Sequence, residues 1–442
     1  MSCRKRPVVN LGRYPNYSQR VLMVVTPLLR GLRARIVALA AVLLVGAGTV
    51  TPVTAFATGP LTPKQAPLPG NSSSVPQAIL NAVTCPTTQN CTAVGRYEST
   101  SGGRALVLSR SGGPWGSPHS VTLPANALAA ANGVLNGLFC FAKDECVAVG
   151  QYERASSYEG MIVAEHHGAW GTAIQSPLPP GALSATITAL NAISCTSRGN
   201  CIAVGQFRNN VGDQGFIVRE RAGVWGHPLV SPLPNRNKPN FITQLDGVAC
   251  TSVGYCVAVG QYVNTTPSRQ AMIVTERAGV WSSSVAAVLP VDAQLDPWAG
   301  LLGVTCVSRG YCVAVGIYQG PHGGQGLISV ESGGNWRRGI QAPLPSGSSP
   351  GVRSDQLLAV TCTTFGNCHA VGQFTFGSLD YGVVITEIHG HWGRGVRVPR
   401  PANGISPIYA GLNGIDCINP TTCQMVGQYQ STLGEPALIV SQ

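Results

Sequence analysis

The stretch Leu245-Asp-Gly-Val-Ala-Cys-Thr-Ser-Val-Gly-Tyr-Cys-Val-Ala-Val-Gly-Gln-Tyr262 holds the unit from which most of this chain is built. Its two cysteines, Cys250 and Cys256, are separated by five residues and followed by x-Ala-Val-Gly-x-Tyr, and a leucine stands five residues before the first of them. Closely related copies occur at Cys85/Cys91, Cys140/Cys146, Cys195/Cys201, Cys306/Cys312, Cys362/Cys368 and Cys417/Cys423. The first cysteines of the seven pairs are 55, 55, 55, 56, 56 and 55 residues apart. A period of this size, repeated seven times, decides the architecture before anything else is read.

Around each pair the pattern widens. Leu80, Leu135, Leu190, Leu245, Leu301, Leu357 and Leu412 precede the first cysteine by five residues, and Ala or Gly stands three before it in every copy (Ala82, Gly137, Ala192, Gly247, Gly303, Ala359, Gly414). An apolar run follows, then a Gly-bearing turn into Trp, then Leu-Pro or a similar pair. Short segments rich in Val, Ile, Tyr and Trp, bounded by Gly, Pro, Asn and Ser, read as strands and turns. Four strands per repeat, a to d, in seven repeats predict an all-β, seven-bladed propeller. The crowded inner strands explain the small residue, and the Gly after Ala-Val predicts a bulge or a close backbone approach.

The chain ends predict how the ring closes. The seventh repeat stops at Gln442, after its c strand, whereas Ala66-Pro-Leu-Pro69 matches Ser176-Pro-Leu-Pro179 and Ala342-Pro-Leu-Pro345. Pro69 lies 16 residues before Cys85, the spacing that Pro124, Pro179, Pro234, Pro290 and Pro401 keep from their own cysteines. One N-terminal strand is therefore expected to complete blade seven and remove two open sheet edges.

Residues 1–57 are of another kind. They carry eight Arg or Lys and no acid, then the uncharged run Ile36–Val50 and Ala55-Phe56-Ala57. Basic, apolar and small-x-small regions in that order predict a secretory signal peptide, with an uncleaved membrane anchor as the alternative. Residues 58–442 are then the mature propeller. The whole chain is +11, but without the eight cations 21 basic face 18 acidic residues, about +3. No basic stripe is visible, and no nucleic-acid partner is expected. A secreted or cell-surface monomer is expected, touching a membrane only through an uncleaved N-terminus. Export to an oxidising compartment makes the 14 paired cysteines seven disulfides, one across each a–b hairpin. Facing positions of antiparallel strands, about 4.5–5.5 Å apart at Cα, suit such a bond. Zinc would need four ligands at other spacings, so neither a metal nor a cofactor is expected. Cys3 lies in the export segment.

Alternating strand directions place the a–b and c–d turns at one end of the ring, and the b–c loops and d–a connections at the other. The first end is constant and carries the disulfides. The second varies, as in Glu153–Gly160, Arg208–Gly215 and Val291–Gly300, so function is sought there. Trp298 is the one Trp outside the repeat pattern, with Asp292 and Asp296 close by; Tyr158, Tyr381 and Tyr409 also lie in variable segments. These six are the candidate ligand-binding residues. Blade five breaks the pattern with Leu302 and Ile317, which nominates the region between blades four and five. The recurring Asn81, Asn136, Asn191 and Asn413, with Asp246 in blade four, read as structural hydrogen bonders. His369 reads as a satisfied core residue, and His166-His167 and His389-Gly-His391 as solvated turns.

The c–d turns Ser109-Arg-Ser-Gly-Gly-Pro-Trp115, Glu220-Arg-Ala-Gly-Val-Trp225 and Glu331-Ser-Gly-Gly-Asn-Trp336 resemble the Asp-box turns of sialidase-like (BNR) propellers. The Gly and Trp match, the Asp is missing and the turn is shorter. A sialidase site would need an arginine cluster with a Tyr/Glu pair and an acid, and no motif-matched position supplies one. The whole 58–442 region also resembles the secreted Cys-x5-Cys-x-Ala-Val-Gly repeat propellers of high-GC Gram-positive bacteria. Two function classes follow. One is a non-catalytic module binding glycan, peptide or protein through its loop face; the other is a polysaccharide-cleaving hydrolase or lyase. Its acids would come from Glu153, Glu159, Asp213, Asp292, Asp296, Asp355 and Asp380, which no spacing pairs, and binding is the preferred reading. No catalytic residue is assigned.

Overall fold

Each run of β-branched and aromatic residues forms a strand, and each Gly-bearing interruption forms a turn. In blade two, strand a is Gly133–Ala142, b is Glu145–Arg154 and c is Ser157–His166; d comes in two short pieces, Ala169–Trp170 and Ile174–Gln175. The computed structural model describes residues 59–442 apart from 156, 184–186, 235–241, 264–267, 347, 349–352, 378 and 406–409. The N-terminal residues 1–57 expected to be a signal peptide, with Cys3, and Tyr409 lie outside the described residues. Within them the chain is all-β, with seven antiparallel sheets each built a-b-c-d. No helix among them is long and apolar enough to cross a membrane. The protein is a seven-bladed β-propeller with one disulfide per blade.

All seven expected cystines form, each within its own hairpin: Cys85–Cys91, Cys140–Cys146, Cys195–Cys201, Cys250–Cys256, Cys306–Cys312, Cys362–Cys368 and Cys417–Cys423. In blades two to seven the two cysteines face each other directly, as in Cys140↔Cys146, Cys195↔Cys201, Cys250↔Cys256 and Cys362↔Cys368. Their Cα atoms stand 4.0 Å apart (4.1 Å in blade seven), closer than the spacing expected of facing strand positions. The pair sits at the end of its ladder, where the strands draw together into the turn. Cys91, Cys146, Cys201, Cys256, Cys312, Cys368 and Cys423, on strand b, are all buried, whereas Cys250, Cys306 and Cys362 of strand a are only partly so. These are structural braces, and none of them is a free thiol.

The ring closes through the N-terminal strand Thr62–Gln65, which pairs with the c strand of blade seven, Ala437–Ser441, from Thr62↔Ser441 to Gln65↔Leu438. Ala66 N donates to the Ala437 carbonyl at 2.9 Å, just as Ser176 N donates to Gly160 (2.7 Å) and Ala342 N to Gly326 (2.8 Å). The Leu-Pro register predicted this equivalence.

Sheets pack face to face, so the core lies between blades. Val147, Val149 and Ile162 of blade two meet Leu190, Ile193 and Phe207 of blade three in one cluster. With both faces covered, strands b and c need no polar alternation. Strand a crowds the axis: a Cβ on Gly137 would stand 2.9 Å from the Ala192 Cα, and one on Gly303 would stand 2.8 Å from the Leu358 carbonyl. Larger residues would force the inner strands apart. The Gly after Ala-Val meets both expectations made for it. Gly95 faces Leu80 where strand a slips register by one residue past Asn81, and a Cβ there would collide with the Ile79 carbonyl.

The bulged residue is the recurring Asn. Asn81 Nδ2 donates to Leu135 O (2.9 Å), Asn136 to Leu190 O (3.0 Å), Asn191 to Leu245 O (2.9 Å) and Asn413 to Leu80 O (3.0 Å). Each therefore ties its blade to the next, the structural role expected of it. Asp246 holds this place in blade four, and burial pushes its carboxyl up to about 7.

One expectation is corrected. In blades one, two, three, five and six the b and c strands run on almost to their ends and are joined by two-residue turns, as at Ser99↔Gly102, Arg154↔Ser157, Asn209↔Gly212, Gly320↔Gly323 and Phe376↔Leu379. Glu153–Gly160 and Arg208–Gly215 are thus mostly paired strand. Their variety is in side chains, and the backbone variety of this end lies in the d–a connections and in the longer b–c loops of blades four and seven, beyond Val263↔Arg269 and Gln428↔Ala437.

Candidate functional site

The connection between blades four and five stands out of the surface. Val291 is 86% exposed and Leu295 fully exposed, beside the exposed Asp296. Trp298 has φ 39°, a left-handed conformation that a bulky residue adopts only when its surroundings hold it there. Other non-Gly residues with positive φ, such as Asp144, Ala222 and Ala278, sit in tight hairpin turns. The Arg269 guanidinium lies 4.7 Å from the Trp298 ring centroid, and Ala299 N donates to Arg269 O at 2.9 Å. A cation–π contact and a backbone bond from blade four thus fix this aromatic against its neighbour.

Asp292 has a repeated task. Tyr318 OH donates to its Oδ1 (3.0 Å), as Tyr97 OH does to Asn71 (2.9 Å), Tyr152 OH to Asn126 (2.8 Å) and Tyr429 OH to Asn403 (2.6 Å). In each case the partner lies 26 residues earlier. Where Phe207 replaces Tyr, that residue is Gly181 and there is no hydroxyl to satisfy. This matched change was legible in the repeats. Burial pushes the Tyr318 phenol up, so it remains a donor.

The other loop-face acids are each engaged. Asn132 donates to Glu153 through N (3.1 Å) and Nδ2 (2.6 Å), and Arg154 lies 3.8 Å from Glu159. Arg208 grips Asp213 through Nε (2.7 Å) and Nη2 (2.9 Å). Burial pushes the Glu159 carboxyl up. Asp355 and Asp380 do come together in blade six. Thr375 N donates to Asp355 (2.8 Å), and Thr375 Oγ1 and Ser354 Oγ donate to Asp380 (3.0 and 3.1 Å). Asp355 is buried, so only one carboxylate of this pair faces solvent. Beside them Arg397 lies 3.5 Å from the Tyr381 ring centroid. Tyr158, in blade two, bridges to Ile187. Tyr158, Trp298 and Tyr381 therefore stand on different parts of the ring.

The disulfide end holds groups that the sequence reading passed over. Glu165, Glu220, Glu276, Glu331 and Glu387 occupy one position of strand c, each opposite the Trp five residues later, as in Glu276↔Trp281. The constant Glu-x4-Trp spacing was the available signal. Burial raises the pKa of Glu165, Glu220 and Glu331, and takes Glu387 to about 7. Glu276 is buried against Arg219 of blade three. Asp416, at about 6 through burial, accepts from Cys85 N at 2.7 Å and latches blade seven to blade one. His369 is buried; its Nδ1 lies 3.1 Å from Thr386 Oγ1 and burial lowers its pKa, as befits a neutral core residue. It neighbours Cys417 and Cys423, whose sulfurs are joined to each other, so they offer no thiolate to a metal. His166, His167, His389 and His391 are exposed at turns.

No protein-family model matches the chain, and no curated protein matches it. Solved structures do. A PL25 ulvan lyase bound to a GlcA–Rha3S unit aligns at TM-score 0.50 with 10% identity, over 81% of this chain and 93% of that one. A Dyadobacter fermentans protein of unknown function aligns at 0.46 with 9% identity, over 86% and 98%. Trypanosoma rangeli sialidase with sialic acid aligns at 0.45 with 10% identity, over 86% and 60%. At these identities the likeness speaks to the fold alone.

Proposed function

We propose that this protein is an extracytoplasmic, non-catalytic binding propeller that recognises a glycan, peptide or protein through its loop face. The observation that carries this is the 291–299 connection: exposed Val291, Leu295 and Asp296 beside a Trp298 held in a strained conformation by Arg269. Exposed apolar side chains on a fixed connection are a feature of interaction sites. Asp292 anchors the base of that connection through Tyr318. The remaining acids are tied to residues of their own neighbourhood, which favours binding over an acid–base pair. Seven disulfides favour an oxidising compartment, which the export signal of residues 1–57 would reach. A glycan and peptide array, run beside a panel of polysaccharide hydrolase and lyase substrates, tests the reading. Binding without turnover, lost in Trp298→Ala, is expected; turnover would replace it with the enzyme reading.

A further inference from the structure

The disulfide end of blades three to six has, among the described residues, charge of one sign at its surface. Arg198, Arg221, Arg277, Arg309 and Arg337 are exposed there, whereas Arg338, in the equivalent place to Arg394, reaches back along strand d to the Leu289 carbonyl. The acids at that end of the same blades are the strand-c glutamates: Glu276, Glu331 and Glu387 are buried, and Glu220 is half-buried. Arg198, at the border of the patch, pairs with Glu145 of the neighbouring blade, and the Arg277 charge acts on the buried Glu331 of blade five. Net charge hides this arrangement, because the acids that balance the sum sit beneath the arginines or at the other end. Loop-face cations are different, since Arg154, Arg208 and Arg269 lean on Glu159, Asp213 and Trp298.

The arginines recur by blade and do not converge. Arg221 and Arg277 hold the same c–d turn position in successive blades, and Arg198 and Arg309 the same a–b turn position. Rings and aliphatic tips lie between them. Arg309 of blade five covers the Tyr255 ring of blade four at 3.7 Å; Tyr311 packs edge-on to Phe365 of blade six at 4.8 Å, and both are exposed, as are Val224, Val253 and Val280. Between blades four and five a crevice of about 260 Å³ opens among Thr251, Tyr255, Arg277 and Arg309, with Glu276 and Glu331 buried in its wall. The surface is also rigid. In each of these blades the two turns are bonded tip to tip, Gly223 N to Gly199 O and Gly334 N to Gly310 O among them. Gly199 and Gly310 have φ 74° and 77°, and a Cβ on either would press on the opposing turn. A disulfide braces the base of each hairpin.

We propose that the disulfide face of blades three to six docks an acidic polysaccharide, with Arg221, Arg277, Arg309 and Arg337 taking its anionic groups along an arc. Guanidinium forks pair with carboxylates, while the neighbouring rings offer apolar faces to sugars. Spread over several blades, such contacts suit an extended polymer. The oxidising compartment favours a surface polysaccharide over nucleic acid as that polyanion. Pre-formed turns lose little entropy on binding. This surface is separate from the loop-face site proposed above.

The test uses the mature, disulfide-bonded protein with immobilised polygalacturonate, dextran of similar length, single-stranded oligonucleotide and phosphatidylglycerol vesicles. Polygalacturonate should retain it at low salt and release it as salt rises, while dextran should not retain it. The variant R221Q/R277Q/R337Q, which leaves the Arg309 stack intact, should bind roughly tenfold or more weakly at unchanged melting temperature. Trp298→Ala should bind polygalacturonate normally, which separates this face from the loop face. Undiminished binding by the triple variant, equal retention on dextran, or preference for vesicles or oligonucleotide would overturn the proposal.

Discussion

The two ends of the ring solve opposite problems with the same repeat. At the disulfide end every blade has a cystine across its hairpin. Blades two to six add turns bonded tip to tip and a Glu, at least half-buried, opposite a Trp. At the loop end five of the b–c hairpins are equally short, and variety lies in the d–a connections and in the longer b–c loops of blades four and seven. The constant end looks like pure scaffold in the sequence, yet in blades three to six the charges it exposes among the described residues are all cations. The variable end looks charged and reactive, yet most of its acids and arginines are held by partners, as in Arg154–Glu159, Arg208–Asp213 and Arg269 on Trp298. Constancy of backbone and neutrality of surface are separate properties.

Removing the strand that frames both ends should have the largest effect. Deletion of residues 58–70 leaves the c strand of blade seven without the partner that Thr62–Gln65 supplies, and should lower the melting temperature by about 10 °C or more. An unchanged melting curve would mean that the ring does not depend on this closure.

Removing one brace from the constant end is a smaller step. Cys306 and Cys312 face each other directly with Cα atoms 4.0 Å apart. A seven-residue loop is worth about 2.4 kcal/mol in the chain-entropy model, so C306S/C312S should lose about that much in denaturant unfolding. Non-reducing peptide mapping of the parent protein should find all seven pairs oxidised.

Acidity separates the ends again. Burial raises Asp246 and Glu387 to about 7 and Asp416 to about 6, so ionising them opposes folding. Their ordinary values lie near 4, and the native state therefore binds more protons than the unfolded chain between about pH 4 and 7. Stability should fall as pH rises through that window, whereas exposed loop-face pairs such as Arg208–Asp213 contribute little. Melting should be a few degrees higher at pH 5 than at pH 8, and Glu387→Gln should flatten part of the slope. A melting temperature that rises with pH over this range would refute the burial argument.

The smallest structural effect is expected at the loop end. Trp298→Ala removes a half-exposed ring that rests against Arg269, and should change stability by less than about 1 kcal/mol while abolishing ligand binding. A large loss of stability would make Trp298 a packing residue between blades.

Much of the architecture was legible because repetition averages out local ambiguity. Seven copies of Leu, small residue, Cys-x5-Cys and Gly fixed blade number, strand order, closure and cystine pairing. The bulge Asn was readable as structural for the same reason. The b–c hairpins of five blades mislead because their side chains vary while their backbone does not. Asp292 draws notice by lying near Trp298, although its 26-residue spacing to Tyr318 marks a bond repeated in other blades. The one-signed surface was not legible, because it depends on which of two opposite charges in one turn is buried. In Glu276-Arg277 adjacent residues point into the core and out to solvent, and only the folded sheet distinguishes them.

Arginine footprinting with phenylglyoxal, read by peptide mass spectrometry on the native protein, tests this contrast between the faces most directly. Arg221, Arg277 and Arg337 should be modified several-fold faster than Arg208 and Arg269. Equal rates at the two ends, or faster modification of Arg208 and Arg269, would contradict it.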